Sequence, residues 1–435
     1  MSNIIRKIIP NSVRGIVNNF FTLIQKQLLV QKMRFKHKKL LEGLKGKKKI
    51  KVVFLEIFKG MWKADPVFLK MLNDPYFEPI ILVCPCTAYD EILLKSEMNA
   101  VYNFFKEKGY PVLSSYIKEE DRWIQLDEIK PDIIFFNIPH NMTRKEYYSN
   151  AYMSYLSCYI PYNHDVGVFG GIVNQHNQLF HNAQWVIFTP HQCSYTIYQR
   201  FSAAKGRNVV VTGYPPMEPF FCNHDVERKS SWNNFDSRKR VIWAPHHTID
   251  MEYLPFSNFL IYADDMLKLA KKYSNKIFWS FKPHPELKYK LYKHHEWGVK
   301  KTDLYYKHWE DSDFSQLDQG EYINLFIESD AMIHDCGSFL AEYMYVKKPV
   351  LYMLNINNGS SYYNSFGNKA LKACRVGNNK EDIECFIQNL LVKDFFITDE
   401  HRIFYETEIF KYFNGTTPSL KIINILKNKI GERQK

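Results

Sequence analysis

Three short runs in this chain place charged and hydrogen-bonding side chains directly after apolar segments. Pro245-His246-His247-Thr248 follows Val241–Ala244, Lys282-Pro283-His284-Pro285 follows Lys276–Phe281, and Asp335-Cys336-Gly337-Ser338 follows Ala331–His334. Each reads as a buried strand running into a polar turn, and three such ends on one parallel sheet would line a single cleft. The chemistry that suits them is the holding of an anion. Lys282 and His284 alternate with prolines that restrict the backbone, which suits groups that must keep positive charge or a proton donor in one place. Beyond the third run, Phe339, Tyr343 and Val346, or Leu340 and Met344, recur at helical spacing, so a helix starting at Ser338 would aim unpaired N–H groups at whatever lies above the strand. The same residues also suit an ordinary strand-to-helix turn capped by Asp335 or Ser338.

Other chemistries lack their residues. The chain has 15 histidines but no HExxH and no spaced Cys/His set, and His246 and His247, being adjacent, would point to opposite faces of an extended strand, so no metal is expected. There is no GxGxxG, GxxxxGK[ST] or GxSxG, so no nucleotide cofactor, P-loop or hydrolase elbow is expected. The eight cysteines, at 84, 86, 158, 193, 222, 336, 374 and 385, form no CxxC pair and fit a reducing compartment.

The elements that must position these runs alternate in type along 435 residues, which is length enough for two domains. Strand-like segments at Lys51–Phe58, Pro79–Val83, Val112–Leu113, Pro131–Phe136, Tyr155–Tyr162, Trp185–Phe188 and Val209–Thr212 are interleaved with helical ones at Val67–Leu72, Glu91–Lys108 and Ser194–Phe201. A polar interval from Cys222 to Arg240 breaks the rhythm. A second series then begins, with strands at Val241–Ala244, Lys276–Phe281, Ala331–His334 and Val350–Met353 and helices near Phe259–Tyr273 and Phe339–Tyr345. The expected fold class is α/β, with two Rossmann-like domains at residues 51–220 and 221–435 facing a cleft, preceded by an arm at residues 1–50.

The arm holds nearly all of the charge imbalance. Residues 1–51 carry 14 Lys and Arg against the single acid Glu42, so of the net +12 the arm holds +13 and the remainder −1. Ile9, Val13, Ile16, Val17, Phe20, Phe21, Ile24 and Leu28 follow helical spacing and run into a lysine-rich stretch, the pattern of a helix lying in the plane of an anionic membrane. No apolar stretch reaches the length of a span, and Arg6, Lys7, Pro10 and Arg14 argue against a secretory signal. A helix packed on the body of the protein and a nucleic-acid-binding tail are the alternatives. Because the aromatics sit with the aliphatic stripe and not among the lysines, no nucleic acid is expected.

In order along the chain, five segments resemble the CDP-glycerol glycerophosphotransferases, the teichoic-acid-type polymerases and primases of GT-B fold. Thr212-Gly213-Tyr214-Pro215 resembles the family's GYPRND, Val241–Thr248 its strand and APTWR, and Phe281–Pro285 its strand and RxHP. Ser329–Met353 is similar to its SDxxITDYSSxxFDYxxxxKPxxxY block, and Phe410–Leu426 to its closing FxxxxDGxASxRIxxxI. Roughly residues 155 to 430 are covered. The departures are local: His247 or Thr248 stands for the arginine of APTWR, Pro216 for the arginine after GYP, Cys336 and Gly337 interrupt the polar DYSS, and Glu342 replaces an aspartate. The family's amino-domain histidine, in a Trp-His-Gly turn, has its nearest counterparts in Asn163 and His164, with His176 further on.

The resemblance implies transfer of glycerol phosphate or a related polyol phosphate from a CDP-activated donor to a cell-envelope glycan or lipid-linked polymer, with release of CMP and no cofactor. It implies that Lys282, Asp335, Gly337, Ser338, Glu342, His246, His247, Thr248 and Gly213 bind the donor. His284 would serve the leaving side, and His164, from the opposite domain, would act as base on the acceptor hydroxyl. Peripheral attachment to the cytoplasmic face of the membrane would fit such an acceptor. Two other readings share the fold: a GT-B glycosyltransferase using a nucleotide sugar for capsule or lipopolysaccharide, and a non-catalytic glycan-binding protein.

Overall fold

The strand-like runs assemble into two sheets, and every pairing within each sheet is parallel. The computed structural model describes residues 11–221, 230–234, 236–252, 254–355, 362–392 and 396–431, with side chains from Thr22 onward. The chain divides into two compact units. The first comprises residues 1–162, 170–216 and 416–435, and the second residues 163–169 and 217–415. The chain therefore passes between units more than once, where the sequence suggests a single boundary at 220/221.

In the first unit, β1 (Ile50–Glu56), β2 (Phe77–Val83), β3 (Val112–Ser114), β6 (Ile133–Phe136), β7 (Leu156–Tyr159), β8 (Val186–Thr189) and β9 (Val209–Val211) form a seven-stranded sheet in the order β3-β2-β1-β6-β7-β8-β9. A separate two-stranded ribbon pairs β4 (Tyr116–Ile117) with β5 (Arg122–Trp123). Continuous apolar strands such as β1 and β6 are buried on both faces, as helices covering a parallel sheet require. Phe54 and Phe135, on neighbouring strands, stack with centroids 4.6 Å apart. The helix Pro418–Gly431 also belongs to this unit: Ile422, Ile423, Leu426 and Ile430 join the core containing Phe54 and Phe68.

The arm forms a helix over Asn11–Glu42, and its second half packs on the first unit. Val30, Met33, His37, Leu41 and Leu44, one face at helical spacing, are buried. Ile9 lies outside the described residues, and the side chains of Val13 to Phe21 are likewise not described. Leu28 and Phe35 lie on the opposite face and are exposed.

In the second unit, β10 (Lys239–Ala244), β11 (Ile277–Phe281), β12 (Ser315–Leu317), β13 (Ala331–His334), β14 (Val350–Met353) and β15 (Arg375–Gly377) form a six-stranded sheet ordered β12-β11-β10-β13-β14-β15. From β10 the chain builds outward through β11 and β12, then returns to lay β13 on β10's other side. The carboxyl ends of β10 and β13 thus flank the point where strand order reverses, which is where such sheets open a crevice. Beneath it, Trp243, Phe259, Phe281 and Trp309 pack face to face and edge on, with Trp243 and Phe281 centroids 5.0 Å apart.

One buried carboxyl stands at the corresponding reversal in the first sheet. Glu56, the last residue of β1, accepts hydrogen bonds from Asn137 Nδ2 (2.9 Å) and the Ile57 N–H (3.3 Å). Burial pushes its pKa from 4.5 up to about 8, against the pull of those bonds and of Lys63. The folded chain therefore holds this proton where the unfolded chain releases it, so stability falls as pH rises between the two values. Urea unfolding at a series of pH values should show a slope of about 1.4 kcal/mol per pH unit from this group. Glu56→Gln should flatten that slope; an unchanged pH dependence would show that Glu56 does not titrate this way.

Candidate active site

Asp335 holds the carboxyl ends of β10 and β13 together. Its side chain, buried directly after β13, accepts the N–H of His246 just past β10 and the N–H of Asn258 further along the same loop, both at 2.6 Å. Burial raises its pKa to about 7, while the two backbone donors pull the other way. Asn258 in turn donates through Nδ2 to the Met353 carbonyl at the end of β14 (2.9 Å). With both oxygens engaged by backbone N–H groups, Asp335 shapes the site, a different role from the donor binding that the resemblance implies.

The loop so fixed carries two members of a histidine cluster, and the third follows β11. One ring nitrogen from each of His246, His247 and His284 lies within 4.8 Å of the others, and the ring centroids of successive pairs are 4.4, 5.1 and 4.1 Å apart. His246 and His247 do not point to opposite faces as extended strand would place them. The strand ends at Ala244, and the following turn brings both rings toward His284.

The hydrogen bonds assign where each ring carries its proton. Lys290, whose ammonium can only donate, lies 2.8 Å from His247 Nδ1, and the Glu286 N–H donates to His284 Nδ1 at 3.2 Å. Thr248 Oγ1 accepts the N–H groups of Phe256 and Ser257, both at 3.3 Å, so its own proton goes to His246 Nδ1 at 3.0 Å. In all three neutral rings Nδ1 accepts and Nε2 bears the hydrogen. Burial lowers the pKa of His247 to about 3 and of His284 to about 4, helped by Lys290 and, for His247, by His284. His246 is lowered well below its ordinary value by burial and by its histidine neighbours. Such a set offers N–H donors to an anion. A metal would need Nε2 lone pairs and would meet the Lys290 ammonium beside the cluster.

The remaining sequence candidates fall into two groups. Near the cluster, Lys282 is buried and donates to the Gly320 carbonyl (2.7 Å), its pKa lowered by burial against the pull of Asp318 and Glu321. Cys336 Sγ and Ser338 Oγ lie 3.3 Å apart, and Gly337 faces the Phe256 ring. The helix expected from Ser338 is only Phe339–Glu342, followed by a 3-10 turn over Tyr343–Val346, so its dipole is far weaker than a long helix would supply. Glu342 is buried and not a solvated residue of the helix surface.

Elsewhere, His164 does not come from the opposite domain. Residues 163–169 belong to the second unit, where its Nε2 lies 2.8 Å from Tyr345 Oη and its ring stacks on Phe366 with centroids 5.1 Å apart. Both His164 and its alternative His176 are buried; His176 packs edge-on against Tyr198 in the first unit. Asn163 caps the turn by accepting the Asp165 N–H at 2.8 Å. Gly213, with φ 89°, follows β9 in the first unit. Lys290, Glu286 and Asn258 were not legible as site residues. Lys290 is the fourth residue of the helix Leu287–Lys293 that follows His284, and only the folding of the loop after β10 brings His247 to it.

The family description that matches is CDP-glycerol:poly(glycerophosphate) glycerophosphotransferase, over residues 172–362. The matched stretch is similar to that transferase family. It contains β10, β11 and β13 and therefore the whole histidine cluster. Among solved structures, a variant of the wall teichoic acid polymerase TagF is 12% identical, with 96% of this chain and 99% of that one covered and a TM-score of 0.56. A UDP-N-acetylglucosamine 2-epimerase from Listeria monocytogenes is 14% identical over 88% and 97% of the two chains (TM-score 0.55), and S. aureus MnaA, solved with UDP, is 16% identical over the same shares (TM-score 0.55). At these identities the likeness is one of fold, the GT-B-like pairing of parallel sheets. No curated protein sequence matches the chain.

Removing the Asp335 side chain leaves two buried N–H groups without acceptors, each worth about 1–3 kcal/mol. Asp335→Ala should thus lower unfolding free energy by about 2–5 kcal/mol in denaturant melts. A loss under about 1 kcal/mol would mean that the loop reorganises without it.

Proposed function

We propose that the chain transfers a polyol phosphate, such as glycerol phosphate, from a CDP-activated donor to a cell-envelope polymer. The observation that carries this reading is the meeting of the His246, His247 and His284 rings, each with its Nδ1 taken up as an acceptor, at the strand-order reversal, inside the stretch matched by the transferase family. In the reaction an acceptor hydroxyl attacks the phosphorus bearing the polyol. The bond from that phosphorus to the bridging oxygen breaks, CMP leaves with that oxygen, and a phosphodiester forms as the hydroxyl proton is lost. Charge accumulates on phosphoryl oxygens throughout, so fixed donors at close range serve the transition state. The second sheet supplies them from rings that Thr248, Lys290 and the Glu286 N–H already hold in place.

Membrane attachment completes the reading. Leu28, Lys32, Phe35 and Lys39 follow one another at spacings of four, three and four along the helix Asn11–Glu42 and make an outward stripe opposite the packed face. Exposed apolar side chains flanked by lysines suit the headgroup region of an anionic bilayer on its cytoplasmic side. No helix among the described residues is long and apolar enough to cross a membrane.

Incubation with CDP-glycerol, CDP-ribitol and a panel of nucleotide sugars tests the reaction: CMP release from a CDP-polyol is expected, whereas sugar transfer with release of UDP or GDP would replace this reading with a glycosyltransferase. His284→Ala should lower turnover by about a hundredfold with the fold intact, and near-normal activity would remove His284 from the site. Leu28→Glu combined with Phe35→Glu should cut cosedimentation with anionic liposomes at least severalfold. Undiminished pelleting would place the attachment elsewhere.

A further inference from the structure

The hydrogen bonds around His247 differ from those of its two neighbours in one respect. His246 Nδ1 is served by a hydroxyl and His284 Nδ1 by a backbone N–H, groups that do not titrate, but His247 Nδ1 sits between two ions. On one side is the Lys290 ammonium at 2.8 Å, and on the other the Glu286 carboxylate, with Oε2 at 3.4 Å. In the neutral ring Nδ1 can accept from the lysine but can offer nothing to the glutamate. The ring is half-buried, and the remaining titratable groups facing it are His246 and His284.

We infer that a diphosphate arriving on the Nε2 side of the cluster is bound together with one proton, taken from solution onto His247 Nδ1. This rests on reading the cluster as the donor's diphosphate seat. The step forms one N–H bond at the expense of a buffer acid and breaks no other bond in the protein. Nδ1 then turns from acceptor to donor and points its new hydrogen at Glu286. Lys290 loses its acceptor, and its ammonium becomes available to the anion. The cluster passes from three neutral donors to an imidazolium plus a released lysine, adding positive charge only when there is negative charge to meet it.

The electrostatics support the direction. Burial together with His284 and Lys290 holds the His247 pKa down to about 3, so the ring is neutral at ordinary pH. A bound dianion reverses the local field and raises that value. Uptake is then seen between the free value and the value in the complex, and affinity rises as pH falls through that window.

The test is calorimetric titration of the full chain at about pH 6, within reach of a histidine in an anionic environment, in two buffers of different ionisation heat. The probe is P1,P2-dimethyl diphosphate, a diester that does not itself titrate there, with CDP-glycerol run in parallel. About one proton taken up per ligand is expected, with affinity changing up to about tenfold per pH unit. His247→Gln should bind with no uptake and a flat pH profile. If that variant fails to fold, Glu286→Gln serves in its place and should take up a smaller fraction of a proton. Binding without uptake in the native chain, or unchanged uptake in the variant that folds, overturns the inference while leaving the donor-seat reading standing. Failure of both ligands to bind overturns that reading and the inference with it. Retention of Zn2+ by the native chain and its loss in His284→Ala would also overturn it, because the Nε2 atoms would then be offering lone pairs.

Discussion

The second unit depends on a carboxyl group that never reaches the surface. Asp335 is 4% exposed and spends both oxygens on backbone N–H groups of the loop that follows a different strand. β10 and β13 are joined by sheet hydrogen bonds up to Ala244 and His334, and beyond that pair nothing regular connects them. A short, flexible side chain with two acceptors bridges the gap and converts a loose turn into a fixed platform. On that platform Thr248 orients His246 and ties in the Phe256 and Ser257 N–H groups through hydrogen bonds within the loop, and Asn258 fastens the far end of the loop to β14.

The way charge is handled at the site follows from its burial. Permanent cations packed this densely beneath a strand-order reversal would repel one another and cost several kcal/mol of desolvation each. Imidazoles avoid both penalties, since they donate hydrogen bonds while neutral. Lys282 and Lys290 remain the ionic members, and each is tethered, one to the Gly320 carbonyl and one to His247. Arginine, which the resemblance places in this loop and this chain lacks, could not lose its charge in this way.

Much of the frame was legible in the residues, and the limits had physical causes. Strands such as Ile277–Phe281 and Ala331–His334 are apolar because parallel strands are covered on both faces, and that leaves an unmistakable trace in sequence. Edge strands leave little: Ser315–Leu317 and Arg375–Gly377 have three residues each, carry polar side chains and were missed. The polar strand ends were legible as a set, and His246, His247 and His284 do meet. Their tautomers and their coupling to Lys290 were not, because those depend on how a loop of more than ten residues folds back. The assignment of His164 to the other domain failed for a related reason. Residues 163–169 follow a first-sheet strand in sequence, yet Val166 and Val168 exchange backbone hydrogen bonds with Asn364 and Tyr362 of the second unit.

The helix Pro418–Gly431 has a bearing on how the chain comes to be folded. Its buried residues complete a core whose other members, including Phe54, Phe68 and Ile81, are made several hundred residues earlier. During synthesis, therefore, the first unit's core waits with one side uncovered until residues 217–415 have been made, whereas most of the second unit is contiguous and needs only residues 163–169 from before it. Although the first unit leads in sequence, it is the later of the two to close.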